Sequence, residues 1–259
     1  MGSPAGNGCL VDRILKKCGA LGIVDLWAST DKKYIDHHEN FLNLTEEGYS
    51  DDLIKHMRDV SGLIGVDIGS GGGVVANRLA SLGASVNVMD ISLNAVRHAT
   101  SSGRVLGVQA NVEHMPYKDD AFDFCVCTDV VEHVVEYHQL VSEIQRVLKR
   151  SGVAYLTVPN AYSCKNLLLD LIFPILTGVS RKVTGHKPQL PSRGHINLFS
   201  RKSFATFLSE SGFIIEAVEG SKVKDISRYR LVVNPLSTLA GFIIPSMVVD
   251  ELMFMVTPE

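Results

Sequence analysis

Between Leu63 and Val158, short apolar runs alternate with segments whose apolar residues recur at helical spacing. The runs have the length and flanking polar or glycine residues that are typical of buried strands. They predict five strands: Leu63–Ile68, Ser85–Met89, Val105–Ala110, Phe122–Thr128 and Val153–Val158. Helices are predicted between them, over Val74–Leu82, after the capping residue Ser92, and over Glu136–Leu148. This alternation predicts an α/β protein with a doubly wound, mostly parallel sheet.

The last hundred residues have a different pattern. Ser200 is predicted to cap a helix that Gly212 ends, and two more strands follow, Phe213–Val218 and Leu252–Thr257. The sheet is therefore expected to have seven strands. Two apolar stretches, Asn166–Val179 and Leu231–Val249, are interrupted by prolines. Their prolines argue against a membrane span, so we expect a lid over an apolar substrate or an interfacial membrane contact.

These patterns divide the chain into four segments around one sheet. We predict a helical N-terminal extension (1–60), a core (61–160), a lid insertion (161–199), and a C-terminal part of the same sheet (200–259) with an apolar insertion (223–250). Strand 153–158 is expected to begin after a turn at Ser151-Gly152.

Composition limits the classes of function. Of 259 residues, 46% are apolar and 20% are charged, and the formal net charge of −3 gives no sign of a nucleic-acid partner. The five cysteines are scattered and form no CxxC pair, which favours free thiols in a reducing compartment. Residues 1–7 do not resemble a secretory signal, so we expect a cytoplasmic protein, with membrane association left open.

Candidate chemistry begins at a glycine-rich turn. Gly69, Gly71 and Gly73 follow the first strand of the core and precede a helix. Glycine allows a tight turn there and lets a ligand approach the backbone, and the helix N-terminus offers unpaired N–H groups. Such a turn alone is a weak signal, because several nucleotide-binding folds share it and because it can be a plain connection.

Two carboxylates sharpen the interpretation. Asp67 lies just before the glycines, and Asp90 ends the next strand, 17 residues (90 − 73) after Gly73. An acid at the end of that strand can accept hydrogen bonds from ribose hydroxyls. The glycine spacing departs from the dinucleotide pattern, and no P-loop Lys-Ser/Thr follows it. A nicotinamide-dependent dehydrogenase stays open as an alternative.

Five ordered segments carry a resemblance to a known family. They are Val66–Gly73, Met89–Ser92, Ala110–Pro116, Phe122–His133 and Arg146–Gly152. Together they resemble the class I, seven-stranded S-adenosylmethionine-dependent methyltransferases, in particular the ubiquinone-biosynthesis-like and small-molecule branch. The resemblance covers about Leu63 to Phe213 and implies a Rossmann-like sheet whose last strand is antiparallel.

The resemblance implies a role for each matching position. The loop Asp67–Gly73, including Ser70, would line the methionine part of S-adenosyl-L-methionine, and Asp90 would hold the ribose. Ile91 would pack on the adenine, and Asn111 and Val112 would meet its edge, although the family often has aspartate where Asn111 stands. Thr128 would present its backbone to the methionine end. The product would be S-adenosyl-L-homocysteine.

The catalytic group is less sharply indicated, since an activated methyl group needs positioning more than a base. Candidates are Glu132, His133 and His195. In ubiquinone-type O-methyltransferases a matching cluster is associated with a divalent metal, so Asp129, Glu132 and His133 are the candidate ligands if there is a metal. A purely structural hydrogen bond for His133 is the competing interpretation, and capping of the next helix is the one for His195.

The sequence therefore predicts a methyltransferase that acts on a small, hydrophobic acceptor, with O-methylation favoured. A catalytically inactive S-adenosylmethionine-binding scaffold or regulator of the same fold is the alternative. No Asn/Asp-Pro-Pro-Tyr segment follows the fourth strand, which argues against methylation of nucleic-acid bases. A peripheral membrane contact is left open, and the oligomeric state cannot be inferred.

Overall fold

The computed structural model describes residue 51 and residues 53–163, 196–221 and 251–259. In these ranges a seven-stranded sheet has the order β3-β2-β1-β4-β5-β7-β6. Its strands are β1 (Ile64–Ile68), β2 (Ser85–Asp90), β3 (Leu106–Gln109), β4 (Phe122–Thr128), β5 (Leu148–Pro159), β6 (Phe213–Ser221) and β7 (Glu251–Pro258). Strands β1 to β5 pair in parallel, and β7 runs antiparallel to both β5 and β6. The predicted fold class is confirmed.

Four helices connect the strands within the described residues. They are α1 (Val74–Ser81), α2 (Leu93–Thr100), α3 (Tyr137–Val147) and α4 (Arg201–Glu210). The predicted caps are confirmed: the Ser92 hydroxyl accepts from the Ala95 amide, and Ser200 accepts from Ser203 in a capping box. A short 3₁₀ turn, Val131–His133, precedes α3.

The predicted start of the fifth strand is wrong. Ser151 and Gly152 do not form a turn but lie inside β5, which begins at Leu148 directly after α3. The pairing register shifts between Phe122 and Phe124, whose partners on β5 are Leu148 and Val153. The residues between Leu148 and Val153 thus form an irregularity within one long strand. Turn-forming residue types such as Ser and Gly occur both in such an irregularity and in a true turn, so the sequence does not distinguish the two. The third strand is also shorter than predicted.

Both faces of the sheet are covered. Along β4 the side chains alternate: Cys125 and Cys127 pack in one core cluster, whereas Phe124 and Val126 pack in the other. All four side chains are fully buried, as expected for a central parallel strand. Burial raises the pKa of both thiols, so they are inert core residues.

Several predictions concern segments outside the described residues. These are most of the N-terminal extension, nearly all of the lid insertion with His195, the C-terminal apolar insertion, and Cys9, Cys18 and Cys164. Among the described residues, no helix is both long and apolar enough to cross a membrane.

Candidate functional site

The carboxyl ends of the five parallel strands meet at one edge of the sheet. The chain order reverses between β1 and β4: β2 and β3 extend the sheet on one side, and β5 extends it on the other. In open α/β sheets ligands bind in the crevice at this reversal. The segments after Ile68, Asp90, Gln109 and Thr128 therefore define the candidate site.

The glycine loop is tied to the end of β2. The amides of Gly69 and Ser70 both donate to the Met89 carbonyl, at 2.7 and 3.1 Å. The Gly73 amide donates to the Ser70 carbonyl at 2.8 Å, which closes a tight turn into α1. The loop is thus fixed before any ligand arrives.

Two glycines are required for different reasons. Gly69 lies against Val130, so that a side chain at this position would collide with it. Gly71 has a φ of 49°, and a Cβ at this position would meet no atom within 4 Å. The space above Gly71 is therefore open, and we call it the cradle. Because the left-handed backbone conformation favours glycine, no side chain fills this space.

Asp90 connects the loop to the next turn. One carboxylate oxygen accepts from the Gly71 amide at 2.9 Å, and the other accepts from the Ser92 amide at 2.8 Å. Burial raises the pKa of Asp90, while these amide donors act in the opposite direction. The Ile91 amide is a third donor to this carboxylate, and with about four lone-pair sites the carboxylate can still accept from a ligand hydroxyl.

Asp67 is buried beneath the loop. One of its oxygens accepts from the Ala76 amide in the first turn of α1 at 3.2 Å, and the other has no hydrogen-bond partner. Burial raises its pKa to about 7, although the Ala76 amide partly offsets this effect. The Ser70 hydroxyl is also buried without a partner. Two polar atoms beside the cradle thus lack a protein partner, which is a common sign of a ligand site.

The segment after β3 forms a neighbouring wall. The Ala110 amide donates to the Asp90 carbonyl at 3.0 Å, and the Gln109 side chain donates to the Ile91 carbonyl at 3.1 Å. Asn111 turns back on its own loop: its side-chain oxygen accepts from the Glu113 amide at 3.0 Å. Val112 is buried nearby. Ala110 thus contacts Asp90, and Asn111 and Val112 follow it directly in the chain. The roles of Ile91, Asn111 and Val112 stay predictions.

A charged cluster behind this wall was not predicted from the sequence. The Glu143 carboxylate accepts from the Met115 amide at 2.7 Å and from the Arg146 guanidinium. Arg146 also donates to the carbonyls of Met115 and Tyr117. Burial acts to raise the pKa of Glu143, but the hydrogen bonds from Arg146 and Met115 outweigh it and lower the pKa. Helix α3 thus fixes the loop that follows Val112.

The other side of the crevice carries the candidate catalytic residues. Thr128 ends β4, and Asp129 follows it with a φ of 54°, exposed to solvent. Glu132, in the 3₁₀ turn, is 1% exposed, and His133 Nε2 lies 3.9 Å from Glu132 Oε1. Burial raises the pKa of Glu132 to about 9, and the nearby charges of Asp129 and Glu251 add to this effect.

Glu251 is a further site residue that sequence reasoning missed. It begins β7, lies opposite Pro159 at the end of β5, and is 3% exposed. Because β7 is antiparallel, its first residue comes to the same sheet edge as the last residues of the parallel strands. The acidic pair Asp250-Glu251 in front of an apolar strand was the available signal.

The candidate residues thus fall into two groups on either side of the β1–β4 crevice. Among the described residues no group of three His, Cys, Asp or Glu side chains could hold a metal ion, so Asp129, Glu132 and His133 do not form such a group. His195 lies outside the described residues. The next described residue is Ile196, and its amide donates to the Glu132 carbonyl at 2.9 Å.

Comparison with known proteins agrees with this geometry. Residues 66–156 match the family described as a methyltransferase domain. A ubiquinone biosynthesis O-methyltransferase of Rickettsia canadensis is 24% identical over 173 residues, which cover 65% of this chain and 70% of the relative. The enzyme of the same name from Rickettsia felis is 28% identical over 140 residues, which cover 52% of this chain and 56% of the relative.

A solved structure shows the same fold. The S-adenosylmethionine-dependent methyltransferase of Mesorhizobium loti is 15% identical, with a TM-score of 0.55 over 83% of this chain and 99% of that chain. At this level of identity the likeness concerns the fold, and the chemistry has to be argued from the residues.

Proposed function

We propose that this chain, whose core is a class I S-adenosylmethionine-dependent methyltransferase domain, methylates a small hydrophobic acceptor, with oxygen as the favoured atom. Its cofactor is S-adenosyl-L-methionine. The observation that carries the proposal is the open cradle above Gly71, with Asp67 and Asp90 beside it.

The residues of the cradle fit this cofactor. The Asp90 carboxylate can still accept from a ribose hydroxyl, and the unpartnered oxygens of Asp67 and Ser70 can accept from the cationic amino group of the methionine part. Val112 and Ile91 offer apolar contacts to the adenine. The buried acceptors that the fold leaves unpaired are thus those that a cationic, ribose-containing ligand needs.

The cofactor supplies a methyl group on a positively charged sulfur, which is already activated for transfer. What remains for the protein is to hold the acceptor atom in line with that methyl group and to remove a proton where necessary. The loop between β1 and α1 contacts the turn after β4, where Gly69 lies against Val130, and in this proposal the two segments align the methyl group and the acceptor.

Exposed apolar side chains beside the crevice support a hydrophobic acceptor. Of the six large apolar side chains that are exposed among the described residues, four lie around the turn after β4 and the segment that packs on it. They are Val135, Tyr162, Ile196 and Leu198, at 72%, 63%, 56% and 72% exposure. Such a concentration is typical of a contact surface for an apolar ligand or a membrane interface. A cytoplasmic location with peripheral membrane contact therefore remains a prediction.

Glu132 supports oxygen as the acceptor atom. In the proposed step its ionised carboxylate takes the proton of an acceptor hydroxyl while the oxygen forms a bond to the methyl carbon and the carbon–sulfur bond breaks. The products are a methyl ether, S-adenosyl-L-homocysteine and a protonated Glu132, which then loses its proton to solvent. A pKa of about 9 lies close to the value of about 10 for a phenol, so this proton transfer is nearly balanced.

The relatives in Rickettsia also support oxygen, since both are O-methyltransferases. Their sequences match this chain only in part, so the proposal does not extend their substrate to this chain. An acidic hydroxyl on an apolar body is the acceptor class that best agrees with Glu132 and with the exposed apolar edge.

The experiment is a methyl-transfer assay with a radiolabelled methyl donor. Wild-type protein and the isosteric variant Asp90→Asn are incubated with apolar phenols, with water-soluble catechols, and with protein and RNA. Asp59→Asn is the control, because that exposed carboxylate accepts only a local hydrogen bond from the Ser61 amide, before β1. We expect label in the apolar phenols, and loss of it in Asp90→Asn but not in Asp59→Asn.

Label only in water-soluble or macromolecular acceptors would contradict the proposed acceptor class. Binding of S-adenosyl-L-homocysteine without transfer to any acceptor would favour an inactive cofactor-binding scaffold.

A further inference from the structure

The turn after β4 has carbonyl groups that its own helix cannot satisfy. A helical turn leaves its last carbonyls without intrahelical partners. In the single Val131–His133 turn, the Val131 carbonyl accepts a long bond from the Val134 amide, at 3.4 Å, and the carbonyls of Glu132 and Val134 come after it. Its surroundings are buried, since Val131 and Val134 are 0% and 6% exposed. Buried carbonyls need partners from elsewhere in the chain.

Asn197 provides those partners. Its side-chain amide donates to the carbonyls of Val134 at 2.8 Å and Val131 at 3.3 Å. Its backbone amide donates to the Glu132 carbonyl at 3.1 Å, which also accepts from the Ile196 amide. A primary amide has two N–H donors, whereas aspartate has none and serine has one, so the residue type is suited to bridging two carbonyls.

The segment that carries Asn197 is also fixed at its other end. The Ala161 amide donates to the Phe199 carbonyl at 2.9 Å, and Asn160 forms a parallel bridge with Phe199. Ser200 then begins α4. Residues 196–199 therefore lie across the sheet edge between the turn after β4 and the end of β5.

We propose that Asn197 is a positioning residue for the acceptor side of the site, which fixes the Glu132 turn and thereby the place of the Glu132 carboxyl group. Asn197 acts through the backbone of the turn and touches neither substrate nor cofactor. This inference rests on the proposed function, in which Glu132 faces the methyl acceptor.

A second asparagine makes an equivalent bridge on the cofactor side. The Asn77 side-chain amide donates to the carbonyls of Gly73 and Ala99, both at 2.9 Å. It therefore braces the end of the glycine loop in the way that Asn197 braces the Glu132 turn. Equal substitutions at the two positions should separate acceptor effects from cofactor effects.

The test compares Asn197→Ala with Asn77→Ala in the full chain. Affinity for S-adenosyl-L-homocysteine is measured by calorimetry, the rate of methyl transfer to the best phenol by a radiolabel assay, and local opening by amide hydrogen exchange of residues 130–135. We expect Asn197→Ala to bind S-adenosyl-L-homocysteine within about twofold of wild type and to lose about tenfold in kcat/KM for the acceptor. Its amides in residues 130–135 should exchange faster.

Asn77→Ala should show the opposite pattern, with weakened cofactor binding and unchanged exchange at residues 130–135. Asn197→Ser, which keeps one donor, should lie between wild type and Asn197→Ala, and its melting temperature serves as a check on folding. Unchanged exchange at residues 130–135 in Asn197→Ala, or equal loss of cofactor affinity in both alanine variants, would overturn the proposal.

The exchange and calorimetry measurements need no acceptor. If wild-type protein methylates nothing, the proposed function fails, while faster exchange at residues 130–135 with unchanged cofactor affinity would still support the structural bridge. If wild-type protein is active and Asn197→Ala has wild-type kinetics, the positioning role fails alone.

Discussion

Replacing Gly71 with alanine should separate the cost of backbone strain from the cost of filling the cofactor cradle. Gly71 has a φ of 49° and open space where a Cβ would lie. Alanine in this left-handed conformation costs about 1–2 kcal/mol of stability, which corresponds to a fall of roughly 2–8 °C in Tm for a domain of this size.

The same change at Gly62 or Gly103 provides a matched control. Both have positive φ, 75° and 70°, and neither Cβ would meet an atom within 4 Å. They lie away from the crevice, in the turns before β1 and after α2. All three variants should therefore lose similar stability.

Only the Gly71 variant should lose cofactor affinity. A methyl group forced into a fitted site costs about 1–3 kcal/mol, which weakens binding by roughly 5- to 150-fold. Calorimetric titration with S-adenosyl-L-homocysteine measures this loss, and Gly62→Ala and Gly103→Ala should bind as wild type does. If Gly71→Ala binds as tightly as the controls, the space above Gly71 does not hold the cofactor and the account of the site is wrong.

Three further predictions follow from the charged groups. Because burial raises the pKa of Asp67 to about 7 and a cationic ligand favours its ionised form, affinity for S-adenosyl-L-homocysteine should weaken by up to about tenfold from pH 8 to pH 6 in calorimetry, and a flat profile would contradict this role. Arg146→Met should lower the free energy of unfolding by roughly 2 kcal/mol, and with it Tm, and should also weaken cofactor affinity. Lys149→Met breaks the ion pair with Asp123 at the opposite end of the strands and should lower Tm alone. Glu132→Gln should abolish the rise of kcat/KM towards pH 9 and should raise Tm by an amount that grows from pH 5 to pH 9. The reason is that the Glu132 carboxyl ionises above its ordinary pKa of 4.5 in the unfolded chain but stays protonated up to a pKa of about 9 in the folded one, so the wild-type fold loses stability over this range. A Tm difference that does not change with pH would refute this.

Local sequence signals predicted most of the fold. The apolar run Phe122–Thr128 has the bounds of β4, and the serines at positions 92 and 200 cap their helices, because these features depend on residues close in sequence. The turn predicted at Ser151-Gly152 failed because β5 pairs with β4 on both sides of these residues, at Leu148 and from Val153 onward, so that they lie in a register shift within one strand. Tertiary pairing here outweighs the turn preference of two residues.

The candidate site divides in the same way. The cradle and Asp90 follow from a glycine loop and one acid at fixed spacing, whose neighbours in space are also neighbours in the strand order. The hydrogen bond from Met115 to Glu143 joins residues 28 positions apart, and that from Asn197 to Val131 joins residues 66 positions apart. A short sequence motif therefore cannot predict either contact. The raised pKa of Glu132 likewise depends in part on the charge of Glu251, in the distant strand β7.

The central claim is that the loop Asp67–Gly73 and Asp90 bind S-adenosyl-L-methionine. Calorimetric titration of the wild-type chain with S-adenosyl-L-homocysteine and with NAD tests it most directly, with Asp90→Asn as the paired variant. The account predicts one site per chain for S-adenosyl-L-homocysteine, a loss of at least about tenfold in Asp90→Asn, and no binding of NAD. Binding of NAD in place of S-adenosyl-L-homocysteine, or unchanged affinity in Asp90→Asn, would contradict it.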